Sequence, residues 1–82
     1  MASVRIPSLL ALEAGGVQRH DVEATTVREA ISALPVADLL IDELGSLRPL
    51  LHVYVQGHRQ PDLEAPLAPD ADVIVVAAVA GG

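Results

Sequence analysis

Few side chains in this 82-residue chain carry reactive groups, and their spacing argues against most chemistry. There is no Cys, so there is no thiol nucleophile, no disulfide and no CxxC or Cys/His metal cluster. No GxSxG elbow presents a serine. His20, His52 and His58 do not stand at ligand spacing with one another or with further ligands, so they read as exposed polar positions. Neither a metal site nor a catalytic residue is expected. The acidic pairs Asp42-Glu43 and Asp70/Asp72 fit solvated turns better than an acid/base dyad. Gly15-Gly16 lacks the strand–loop–helix setting and the Lys of a phosphate loop, and reads as a turn. What remains is Gly81-Gly82. At about 7% Gly per position, such a pair arises at a given place about once in two hundred chains. A cloning remnant is the rival explanation. Against it, only Val79-Ala80 separates the pair from an apolar run, and nothing resembling a tag follows.

A Gly-Gly segment suits a particular kind of chemistry. Without Cβ atoms it can pass through a narrow tunnel and let a partner's backbone come close. A carboxylate borne on such an end is a poor electrophile, because its charge repels nucleophiles. Conversion to an acyl-adenylate removes that charge, and a persulfide or thiol can then attack the carbonyl. The chain has no machinery for either step, so a separate enzyme must supply it. The tail reads as a substrate and not as a catalyst.

The elements that would carry this tail are legible in the hydropathy pattern. Val4 and Ile6 alternate around Arg5, a strand. A long loop through Gly15-Gly16 leads to residues 17–23, a polar edge strand, so that the two form a hairpin. Thr26 and Glu29 have the spacing of a capping box, and Val27, Ala30, Ile31 and Leu34 form one apolar helix face ending at Pro35. A short second helix is expected in residues 36–44, ended by Gly45. Residues 51–56 alternate, with Val53 and Val55 on one face and His52 and Tyr54 on the other. Gly57 marks a turn into a short strand near residues 58–60. Three prolines make residues 61–70 a connector. Residues 73–80 are apolar on both faces, which places that strand in the middle of a sheet, beside the first strand. The order predicts an α+β fold: a mixed sheet of four or five strands with one main helix on one face.

Composition bounds the rest. Eighty-two residues make one domain of modest stability, with a core that must be aliphatic because Tyr54 is the one aromatic residue. The net charge of −6 and the five scattered Arg leave no footprint for a phosphate backbone, so nucleic acid is not an expected partner. The acidity suits either solubility, its commoner cause, or a partner with basic patches. No apolar run approaches the ~18 residues of a membrane span, so a soluble, cytoplasmic protein without a membrane partner is expected.

Particular residues resemble a known family. Val-Arg-Ile-Pro at 4–7, Gly-Gly at 15–16, Thr-Val at 26–27, Leu-Arg-Pro at 47–49 and His-Val-Tyr-Val at 52–55 are similar to segments of MoaD/ThiS-type sulfur carriers. So are Gly57, Asp62-Leu63, Pro66-Leu67, Asp72-Val73 and Ala-Val-Ala-Gly-Gly at 78–82. The resemblance covers essentially the whole chain, and among subgroups it looks closest to CysO-like proteins. It departs from the pattern at Leu50-Leu51 and at Ala71, where a turn often carries Gly. The resemblance implies a β-grasp (ubiquitin-like) domain over residues 1–78 and a flexible tail over 79–82. It implies that a ubiquitin-activating-type adenylyltransferase/sulfurtransferase, using Mg-ATP, adenylates Gly82, with no cofactor bound to the chain itself. Gly82 would then bear a thiocarboxylate that donates sulfur to a sulfur-accepting synthase. Gly81 would be the spacer, and Val79 and Ala80 part of the tail that partners grip. Two other readings accompany this one: a ubiquitin-like modifier joined to protein amines through Gly82, and the small subunit of a molybdopterin synthase-type complex.

One helix can cover only one face of the sheet. The opposite face is therefore expected to leave an apolar partner-binding patch built partly by Ile74 and Val76. The competing expectation is that residues 36–50 fold over that face.

Overall fold

The computed structural model describes residues 1–77. The elements are β1 (Ala2–Arg5), α1 (Ser8–Ala11), β2 (Arg19–Val22), α2 (Val27–Ser32), α3 (Ala37–Leu40), β3 (Leu51–Val55), β4 (His58–Arg59) and β5 (Asp72–Ala77). The strands form one mixed sheet in the order β2-β1-β5-β3-β4. β5 lies at its centre, parallel to β1 and antiparallel to β3, as the apolar character of both its faces requires.

Helix α2 has six residues, too few to persist alone in water, so packing must hold it. Val27, Ala30 and Ile31 are fully buried against Val4, Val53, Val73 and Val75 from the sheet. The start of α2 is capped as the sequence predicts, with the Thr26 hydroxyl accepting from the Glu29 N–H at 3.2 Å. The reciprocal half of the box differs. Glu29 reaches back to Thr25, accepting from its N–H at 2.7 Å and from its hydroxyl at 2.6 Å. Two adjacent threonines offer the carboxylate a second donor, and a hydroxyl plus an amide outbid a single amide. α2 ends at Ser32, before Leu34, which stays in the core on the following turn.

Two features correct the sequence reading. The β1–β2 connection is not a plain loop: α1 and a 3-10 turn at Leu12–Ala14 precede Gly15 and Gly16, whose φ of 76° and 85° close it. Gly45 does not end the second helix. Helix α3 stops at Leu40 because Ile41 turns extended and bridges Leu47. Gly45, with φ of 81°, belongs to a loop capped by the Asp42 carboxylate, which accepts from the N–H groups of Leu44 and Ser46.

Residues 36–50 do not fold over the open face of the sheet. Val36 and Leu40 are buried in the same core as α2, and Ile41 and Leu47 pack against it. Arg48 fixes this segment by donating twice to the Asp38 carbonyl, at 3.1 and 2.9 Å. Arg28 ties it to α2 and to the connector through the Gly45 carbonyl and the Glu64 carboxylate. Ala71, which departs from the family pattern, is buried beside Val73, and its carbonyl accepts from Ser3 at 2.9 Å.

Candidate functional site

The residues after Ala77 set out from the central strand of the sheet, so the site is built around the end of β5. Strand period sends Val73 and Val75 into the core and Asp72, Ile74 and Val76 to the far face. β1 adds Ser3 and Arg5 to that face, and β3 adds His52 and Tyr54. Ile74 stands directly opposite Arg5 on one side and Tyr54 on the other, and Val76 stands opposite His52. Ile74, Val76, His52 and Tyr54 are half-buried, and among the described residues none of them belongs to the core that packs against α2 and α3.

A shallow, mainly apolar groove of about 390 Å³ runs beside the end of β5, lined by Arg5, Pro7, Leu9, Ile74, Val76 and Ala77 among others. Helix α1 forms its rim. Pro7 is its N-cap residue, with an extended backbone, and its carbonyl accepts from the N–H groups of Leu10 and Ala11 at 3.0 Å each. Ala11 anchors it in the core, leaving Leu9 77% exposed at the groove edge. At the β3 end Leu50, 58% exposed, sits at φ 71°, a left-handed conformation unusual for a residue without Gly's freedom.

The sequence places Ile74 and Val76 on a single face, and they lie together there. Val79, Ala80, Gly81 and Gly82 lie outside the described residues. The histidines are dispersed: His20 donates to the Val17 carbonyl at 2.8 Å, His52 flanks Val76 and His58 is exposed on β4. Among the described residues no group of His, Asp or Glu could hold a metal ion. No helix among them is long and apolar enough to cross a membrane. Arg5, Arg19 and Arg59 are the site residues that linear reading passes over. Only cross-strand register brings them to one face with Ile74.

The same architecture occurs in solved structures. The CysO of an Amycolatopsis orientalis BexX/CysO complex is 25% identical, with a TM-score of 0.83 and full coverage of both chains. SAMP1 from Haloferax volcanii is 25% identical over 99% of this chain and 98% of its own, with a TM-score of 0.75. This is a small β-grasp domain homologous to the CysO/MoaD/ThiS-like ubiquitin-fold sulfur-carrier and modifier proteins. CysO from Mycobacterium tuberculosis shares the fold, with a TM-score of 0.84 at 24% identity, over 96% of this chain and all of its own. No protein-family model and no curated protein sequence matches the chain. A second Haloferax volcanii structure, of small archaeal modifier protein 1, is 24% identical over 95% of this chain and 97% of its own, with a TM-score of 0.74.

Proposed function

We propose that this β-grasp domain is a sulfur carrier whose Gly82 carboxylate is activated by a separate enzyme. One observation carries the reading: the strand leading to Gly81-Gly82 is the central strand of a sheet whose likeness to CysO spans both chains from end to end. A rigid sheet centre gives the tail a fixed starting point, and Gly-Gly gives it a narrow cross-section. A partner adenylyltransferase using Mg-ATP joins the carboxylate to AMP with release of pyrophosphate. An enzyme persulfide attacks the acyl-adenylate and AMP leaves. Cleavage of the resulting acyl disulfide by a thiol frees the thiocarboxylate, which then gives its sulfur to an accepting synthase. One CysO is seen in complex with BexX, which supports a role that depends on partners. The far-face patch of Ile74 and Val76 is where the activating enzyme takes hold, while Val79 and Ala80 follow the glycines into its active site.

Incubation with the source organism's activating enzyme, ATP and a sulfur source is expected to replace one oxygen by sulfur at the C-terminus, read by intact-mass analysis. The reading fails if neither that species nor an adenylate forms. Deletion of Gly81-Gly82 is expected to abolish both products and leave the thermal midpoint unchanged.

The likeness to SAMP1, a small archaeal modifier protein, favours one further reading: conjugation of Gly82 to protein amines. The chain contains no Lys, so it cannot form side-chain isopeptide polymers with itself. Conjugates would show as higher-mass species carrying a single copy per linkage site.

A further inference from the structure

The far face of the sheet is charged against the sign of the molecule. The chain carries eleven Asp and Glu side chains and five arginines. Three of those arginines, Arg5, Arg19 and Arg59, lie on this one face, with Asp21 and Asp72 its carboxylates on the strands. Register makes them a single row: Arg19 opposite Arg5, Arg5 opposite Ile74, Ile74 opposite Tyr54, Tyr54 opposite Arg59. The row crosses all five strands, about 19 Å at the usual strand spacing, with an apolar centre and cationic ends.

The row costs the fold something. Like charges directly opposite one another destabilise a strand pair, and Arg5 faces Arg19 across β1 and β2. Relief is slight: Arg19 approaches Asp21 at 3.8 Å, with both side chains well exposed. Among the described residues Arg5 and Arg59 have no ion-pair partner, whereas Arg28 and Arg48 are tied into the structure. An acidic domain thus concentrates its unengaged cations around half-buried apolar residues without structural return. Departures of this kind from local rules gather at functional surfaces.

We propose that the row Arg19–Arg5–Ile74–Tyr54–Arg59 docks a protein surface whose apolar centre is rimmed by Asp and Glu. That surface belongs to the activating enzyme, and the inference rests on the carrier function proposed above. An apolar middle with a charged rim is the anatomy of a protein interface. Nucleic acid is disfavoured, because one tyrosine gives no stacking platform and the remaining surface is strongly acidic. A symmetric second copy is disfavoured because it would set one arginine row against another. The direction reverses the expectation drawn from net charge: the complementary partner surface is acidic, because the docking face is basic although the molecule is not.

The test uses the full chain and the source organism's activating enzyme, with binding measured without ATP and Gly82 adenylation measured separately. R5E/R59E is expected to weaken binding about tenfold or more, mainly through slower association. S32E/A68E adds negative charge on exposed positions off this face and is expected to change binding less than twofold. R5K/R59K should restore binding, and added NaCl should weaken the wild type more than R5E/R59E. R5E places opposite charges across β1 and β2, so its thermal midpoint is expected to equal or exceed that of the wild type. That result separates lost docking from lost folding. Adenylation with unchanged binding of R5E/R59E overturns the proposal and leaves the carrier function standing. Absence of any adenylation of the wild type overturns both. A variant that alters self-association in sedimentation, but not enzyme binding, assigns the row to a second copy and also overturns the proposal.

Discussion

Single residues set the start and the loops of this domain. Glu29 is exposed, yet the Thr25 hydroxyl and then the Thr25 and Thr26 backbone hold its carboxyl below the ordinary value of 4.5. A carboxyl depressed in the folded state stabilises the fold above its unfolded pKa, and that contribution is lost as pH falls through the folded value. T25V removes the largest cause. By carboxyl-detected NMR, Glu29 is expected to titrate closer to 4.5 in that variant, which also loses part of the wild type's excess stability above that pH. T26A removes the hydroxyl that caps α2 and should cost about 1 kcal/mol in urea unfolding. Leu50 offers a change of opposite sign. Its left-handed backbone costs roughly 1–2 kcal/mol in an L-residue. L50G relieves this but frees the unfolded chain, so a net gain of up to about 1 kcal/mol is expected by the same measurement.

At the scale of elements, β5 does two jobs by period alone. Val75 is buried at the centre of the core and Val76 is half-buried on the far face. V75D buries a charge without a partner and is expected to abolish the cooperative thermal transition. V76D, one residue later, is expected to keep that transition and to weaken activating-enzyme binding. This contrast was legible in the sequence, because alternation and two-faced apolarity depend on nearest neighbours along one strand. The main helix and its first cap were legible for the same reason. Helix α1 was not: in Leu9, Leu10, Ala11 and Leu12 only Ala11 is fully buried, so hydropathy does not report which face turns inward. The role of Gly45 was obscured because its φ serves a loop fixed by Asp42 and by Arg28, which are contacts from outside the helix. The arginine row was invisible for a stronger reason. Five residues from five strands share a row only once every pairing is known.

Across the whole molecule, salt should act in opposite directions on folding and on docking. A net charge of −6 repels itself in the compact state, so added NaCl is expected to raise the thermal midpoint modestly. The same salt is expected to weaken capture by the activating enzyme, because the docking face is the one place where cations gather. A titration followed by melting and by binding reads both slopes from one sample. Equal signs would mean that net charge, and not its distribution, governs recognition.

The parallel pairing of β1 with β5 has a consequence for how the protein is made. The first strand synthesised finds its inner neighbour only in the last one, some seventy positions later. Until residues 72–77 leave the ribosome, β1 and β3 have nothing between them, and each presents an open edge of the kind that invites aggregation. The hairpin and α2 can form early, but the core they share cannot close. Closure of the core is thereby tied to the synthesis of residues 72–77. A nascent chain stalled before Asp72 stays a client for chaperones and proteases, whereas one that has released residues 72–77 can set β5 between β1 and β3 and close the core.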